Sequence, residues 1–286
     1  MLYLKTHNLA FVHVPKNAGK SVDRALRSSG KLDFDDFARD CGVTAERAEH
    51  LMGDNVDDFL GLGPVKPIHL PLAYVESHLP RSWAALRQAH SFIFVRQPRA
   101  RFFSALLQRL GEYADVQALR ADDPRIVLEA QRVCAWLDGR GPFCDMQYIH
   151  FARQIDYAAL RGARIISAIF PLDRTDLAER WVSEKTGLSL RIAHDHARKE
   201  PRKWAKGIQP AARFLGRTLL PDGLRKAIYP LWKNSGVFAN ASGRYGSVSL
   251  GAEVEQFITS YYAGDAILYA EACANAALAD KTSAAA

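Results

Sequence analysis

The sequence predicts an α/β protein with a central, mostly parallel sheet covered by helices on both faces. Two observations predict it. Short apolar runs, LAFVHV at 9–14, SFIFV at 91–95 and ARIISAIF at 163–170, read as strands buried on both faces. Between and after them lie stretches of helical periodicity, and strands that alternate with helices form parallel sheets. At 286 residues, 48% of them hydrophobic, the chain has material for a sizeable core and is read as one domain over 1–286.

The elements follow in order. The first strand, Leu9 to Val14, stops at Pro15, and a helix starts near Gly19 or Lys20. Residues 31–60 are acidic and amphipathic and are read as helical, exposed on one face. GLGPVKP at 61–67 is turn material. Leu72 to Gln88 is helical with an interruption at Pro80. The second strand, Ser91 to Val95, leads through Arg96-Gln97 to Pro98, which suits the first position of a helix. Residues 124–138 and 145–160 are predicted helices. The third strand spans 163–170, a helix runs from Leu172 to Thr186, and Gly187 ends it. A last helix is expected over 252–276, with a frayed tail.

The formal net charge is +7. Segment 198–233 carries ten Lys and Arg against two acids, +8, so the rest of the chain is close to neutral at about −1. A basic excess suits an anionic ligand. No RNA-binding, zinc-finger or homeodomain pattern is present, so nucleic acid is not an expected partner. The first residues, with Lys5, Thr6, His7 and Asn8, lack the apolar run of a secretory signal, and no apolar stretch is long enough to span a membrane. A cytoplasmic location is therefore expected. Cys41, Cys134, Cys144 and Cys273 make no zinc pattern, and no spacing of His, Cys and carboxylates argues for a metal. Cys134 and Cys144 are near enough in sequence to pair, but free thiols are the expected state in a cytosolic protein.

Two segments carry anion chemistry. The first is PKNAGKSV, Pro15 to Val22, set directly after a strand. A loop that opens a helix offers unpaired N–H groups and the positive end of the helix dipole, a ready phosphate or sulfate site. Gly19 admits close backbone approach, Lys16 and Lys20 add charge, and Ser21 adds a hydroxyl. GKS at 19–21 also matches the end of a Walker A loop, but the first glycine of that motif would fall at Val14. A nucleotide-triphosphate loop and another phosphate-type loop both stay open at this point. The second segment is FVRQPRARFFSAL, Phe94 to Leu106. Arg96 stands at the strand exit, where open α/β sheets bind ligands, and Ser104 lies eight residues further, about two helical turns on. An Arg fork and a hydroxyl suit a phosphate monoester. Arg99 and Arg101 are extra candidates or solvated surface. Two anion sites at two strand ends suit a ligand phosphorylated at both ends.

Together these segments resemble the two donor-binding motifs of PAPS-dependent sulfotransferases (PAPS, 3′-phosphoadenosine 5′-phosphosulfate), especially the carbohydrate type that includes heparan sulfate 2-O-sulfotransferases. HVPKNAGKS, His13 to Ser21, is similar to HxPKTGGTS, and FVRQPRARFFSAL is similar to FVRDPFERLVSAY. Weaker similarity includes Asp145 to Ile149, Phe170 through Leu188, and Tyr261 to Asp265 with Tyr269. The resemblance spans about 8–197 and 245–270, with 198–244 as a basic insertion. Asn17, Lys20 and Gln97 depart from the pattern.

The resemblance implies a three-layer P-loop-like fold and transfer of a sulfuryl group from PAPS to a carbohydrate or glycoconjugate hydroxyl, leaving adenosine 3′,5′-bisphosphate without a metal. It implies that Lys16 stabilises the leaving phosphate. Asn17, Ala18, Gly19, Lys20, Ser21 and Val22 would hold the 5′-phosphosulfate with it, and Arg96 and Ser104 the 3′-phosphate. Arg198 and Lys199 stand where the family often places a donor-contacting loop. His69, in KPIHLPLAYV, lies 27 residues before Arg96, near the place of the family's catalytic histidine, and is the expected general base. His78 is the second candidate, His13 reads as a core residue, and His194 and His196 flank a turn. The alternatives are a P-loop kinase or NTPase using ATP and a non-catalytic glycan-binding relative. For 198–233 the readings are a lid, a contact for an anionic glycan or lipid-linked acceptor, a peripheral membrane contact, or a solvated insertion anchored by Trp204, Phe214 and Trp232.

Overall fold

The structure, a computed structural model, describes residues 1–113, 123–193, 199–201, 238–240 and 248–285. The chain divides into two units, Met1–Ala193 with Leu250–Ala286, and His194–Ser249.

The first unit is α/β with a mixed four-stranded sheet. Its strands are β1 (Leu2–Leu4), β2 (Leu9–Phe11), β3 (His90–Val95) and β6 (Ala168–Pro171), in that spatial order. A separate hairpin, β4 (Ala159–Leu160) with β5 (Ala163–Arg164), falls between β3 and β6 in the chain. β1 runs antiparallel to β2, whereas β2, β3 and β6 are parallel. The parallel register pairs Phe11 with Phe92 and Val95 with Pro171, so β2, β3 and β6 all deliver their C-terminal ends to one edge. In β3, Phe92, Ile93, Phe94 and Val95 are all fully buried, as a strand covered on both faces requires. Phe11, Phe92, Phe94 and Phe170 pack ring to ring, and Trp181 closes on two of them, Phe92 and Phe170, and on His90.

Helices flank the sheet. α1 (Gly19–Ser29) follows β2, and α2 (Asp35–Cys41) and α3 (Ala45–Gly53) come next. α4 (Leu72–His78) and α5 (Pro80–Gln88) precede β3, divided at Pro80 as expected. α6 (Pro98–Tyr113) opens with Pro98, and Gln97 caps it by accepting from the Ala100 N–H at 2.6 Å. α7 (Pro124–Leu137) starts on the Asp123 cap, and α8 (Thr175–Thr186) ends at Gly187 with φ 70°. α9 (Ala252–Tyr261) and α10 (Ala263–Ala285) close the unit, α10 lying against β6 and β3.

Four expectations are corrected. The stretch 145–160 is not a helix. It holds two 3₁₀ turns, Ile149–Phe151 and Gln154–Tyr157, before β4. The carbonyls of His150, Phe151 and Ala152 accept from Arg101 and Tyr262 side chains, so long-range bonds replace the helical ladder. Run 163–170 is two strands, because Arg161 (φ 50°) and Gly162 (φ 79°) make a tight hairpin turn that returns β5 onto β4. The last helix is broken at Tyr262, and the tail continues as helix to Ala285. Helix in 31–60 is confined to α2 and α3, and Val56 instead bridges to Val65. No described helix is long and apolar enough to cross a membrane.

Of the second unit, β7 (Lys199–Pro201) and β8 (Phe238–Asn240) are described as an antiparallel pair, with Glu200 opposite Ala239. The remainder of basic segment 198–233, with Arg198, Trp204, Phe214 and Trp232, lies outside the described residues, as do His194 and His196.

Candidate functional site

The loop after β2 has an unusual backbone. Lys16 (φ 70°) and Ala18 (φ 57°) are both left-handed without being glycine, at a cost of about 1–2 kcal/mol each. Ala18 occupies the cap of α1 and offers no side-chain acceptor. Of the amides in 17–22, Asn17 donates to the Val14 carbonyl, and Ser21 and Val22 donate to the Ala18 carbonyl. The N–H groups of Ala18, Gly19 and Lys20 have no acceptor among the described residues and open the helix, the arrangement that holds anions. Lys20 is exposed, whereas Ser21 is buried in the first turn of α1.

The Asn17 side chain ties the loop to its surroundings. It is buried, and Nδ2 donates to the Phe94 carbonyl and to Gln154 Oε1, both at 2.7 Å. Gln154 Oε1 also accepts from the Arg96 N–H at 2.9 Å, and its Nε2 donates to the Arg96 carbonyl at 2.8 Å. One buried amide thus ties the lysine loop to the exit of β3. Asp265, wholly buried, accepts from the Gln154 and Ile155 amides, which sets Gln154 in place.

The Arg96 guanidinium makes no hydrogen bond or ion pair among the described residues, and burial with the nearby Arg101 cation pulls its pKa down. Such a partly buried, unpaired cation is a charge waiting for an anion. Ser104 lies one helical turn before Gln108 on α6, on the same helix face. Gln108 Oε1 accepts from Lys16 Nζ at 2.7 Å, so this face of α6 is the one turned to the loop. Arg99 and Arg101 are not solvated surface. Arg99 pairs with Glu255 at 2.7 Å, and Arg101 is fully buried, 3.7 Å from Asp265.

His69 comes to the same region. It is buried, in a 3₁₀ turn over Pro67–His69, and the Tyr157 hydroxyl donates to its carbonyl at 2.8 Å. Its ring centroid lies 4.6 Å from that of His13 and 5.7 Å from that of His150, both edge to face. Burial first, then the neighbouring His13, His150 and Lys66, holds His69 well below the usual imidazole range. Burial likewise depresses His13 to about 3 and His150 to about 4. The Nδ1 atoms of His13 and His69 are enclosed without a hydrogen-bond partner among the described residues. His13 keeps some exposure but sits inside the site rather than in the distant core.

His78 is elsewhere, at the end of α4, bonded to Ser77 Oγ and facing the Tyr74 carbonyl. Lys199 lies in β7, within the second unit, where it pairs with Asn240. Sequence reasoning missed Lys66, Gln108, His150, Gln154 and Tyr157. Gln147 is exposed, whereas Gln154 is buried. All four cysteines are free thiols. Among the described residues no group of three His, Cys, Asp or Glu is arranged to hold a metal.

Comparison of the chain with protein-family models, with curated proteins and with solved structures gave no match.

Proposed function

We propose that this protein is a PAPS-dependent sulfotransferase with a P-loop-like fold. The observation that carries the reading is the Gln154 amide, which ties the lysine loop after β2 to Arg96 after β3. Two cation-bearing segments tied together suit a ligand with an anionic group at each end, such as a nucleotide with a 5′-phosphosulfate and a 3′-phosphate. The free amides of Ala18, Gly19 and Lys20, with Lys16 and Ser21, take the first group, and Arg96 with Ser104 takes the second. The Arg96 guanidinium, without a partner among the described residues, favours a donor bearing the 3′-phosphate, which ATP lacks.

In the proposed reaction an acceptor hydroxyl oxygen attacks sulfur. The bond between sulfur and the 5′-phosphate oxygen breaks, the hydroxyl proton passes to His69, and adenosine 3′,5′-bisphosphate leaves. Positioning and charge stabilisation dominate such transfers. Lys16 stabilises the developing charge on the leaving oxygen. An anionic donor beside His69 raises its pKa toward neutrality, so the ring is a stronger base when the donor is bound. A carbohydrate or glycoconjugate hydroxyl as acceptor, and a cytoplasmic location, belong to the same reading.

The test is transfer of label from sulfur-labelled PAPS to a panel of polysaccharides and glycosides, with wild type and His69→Ala. Transfer by wild type, lost in the variant while bisphosphate affinity is kept, supports the reading. Saccharide binding without transfer makes the protein a non-catalytic glycan binder, and phosphate transfer from ATP makes it a kinase.

A further inference from the structure

The side chain of Gln108 lies between Lys16 and Glu112. Its Oε1 accepts from Lys16 Nζ at 2.7 Å, and its Nε2 donates to Glu112 Oε1 at 2.7 Å. An ammonium on one side and a carboxylate on the other leave the amide one orientation, oxygen toward Lys16 and NH₂ toward Glu112. The same Nε2 lies 3.4 Å from His150 Nε2. An amide nitrogen is only a donor, so His150 Nε2 faces it with its lone pair and the ring proton sits on Nδ1. The His150 backbone is fixed independently, since Arg101 Nη1 donates to its carbonyl at 3.1 Å.

We infer that Gln108 is a positioning residue that orients Lys16 and withdraws His150 from acting as a second base. The catalytic half of the inference rests on the sulfotransferase reading. The site holds three histidines, His69 buried and His13 and His150 partly so, and His69 and His150 are neighbours. A donor directed at the one lone pair of His150 opposes protonation there, because imidazolium would bring N–H against NH₂. Lys16, Arg101 and Lys66 surround the ring and oppose its charging as well. His69, with no donor aimed at its ring among the described residues, keeps the lone pair that receives the acceptor proton.

The experiment measures the ring nitrogens of His150 by ¹⁵N NMR in the full chain, beside Gln108→Met and Gln108→Glu. Wild type is expected to show the Nδ1–H form and to stay uncharged at pH 6. In Gln108→Met the pKa of His150 is expected to rise by about one unit, and in Gln108→Glu, whose carboxylate accepts from the ring, by more. The pH profile of kcat should gain a second ionisation in both variants. An Nε2–H form in wild type, or a His150 titration unmoved by both substitutions, overturns the inference. Absence of sulfuryl transfer by wild type would instead overturn the reaction and the catalytic half, and the NMR result decides the tautomer regardless.

Discussion

The ring of His13 closes directly over Gly19: a Cβ added to the glycine would lie 1.7 Å from His13 Nε2. The glycine at the start of α1 is therefore required by a histidine of the preceding strand exit as well as by any anion approaching the loop. Gly19→Ala must displace the ring, at a cost of about 1–3 kcal/mol. His13→Ala should relieve that clash. A double-mutant cycle by urea unfolding is expected to show coupling of about 1–3 kcal/mol between the two sites. Additive effects would mean that the ring moves aside freely.

Gln154→Leu is expected to be among the most damaging single changes. It leaves Asn17 Nδ2 one acceptor short in a buried setting and strips the partly buried Arg96 N–H and carbonyl of their partner. Each unsatisfied buried group costs about 1–3 kcal/mol. Thermal unfolding should show a loss of several kcal/mol, and bisphosphate binding should weaken even where the fold survives at low temperature.

The two arginines of the second motif should separate cleanly. Arg101→Met leaves Asp265 buried without its cation and orphans the carbonyls of His150 and Ala152, a loss of about 3–5 kcal/mol. Arg96→Met removes a group with no partner among the described residues and should change stability by no more than about 1 kcal/mol. Chemical unfolding of both variants checks this. Equal losses would make Arg96 structural.

The histidines set the acid limb of stability. Their folded-state pKa values lie below the unfolded value of about 6.5. Below that pH the unfolded chain binds more protons than the folded one, so stability falls as pH falls. The stability is fully present above pH 6.5 and is lost toward the folded values, about 4 for His150 and about 3 for His13. Replacing either ring with Asn should flatten the decline by about 1.4 kcal/mol per pH unit between roughly pH 6 and 4.5, read from urea unfolding at each pH. An unchanged slope would mean that the ring titrates normally in the folded protein.

The parts of the site readable in the sequence are those fixed by local pattern. The fully apolar SFIFV followed by Arg96-Gln97-Pro98 reads directly as a buried strand, a turn and a helix start. PKNAGKSV likewise announces a loop that opens a helix, although nothing local gives Lys16 and Ala18 their left-handed backbone. The segment 149–157 was not legible as it stands. Its periodicity suggests a helix, but its geometry comes from Arg101, about fifty residues away, and from Tyr262 and Asp265, more than a hundred away. His150, Gln154 and Tyr157 owe their positions to those clamps, so residue type and spacing alone carry no sign of them.

The most direct test of the central claim is calorimetric titration with adenosine 3′,5′-bisphosphate beside ADP and magnesium-ATP, on wild type and Arg96→Ala. Tight binding of the bisphosphate, weak binding of ADP and ATP, and loss of that preference in the variant are expected. Preference for magnesium-ATP, or indifference to the 3′-phosphate, would contradict that claim and make the loop after β2 a nucleotide-triphosphate site.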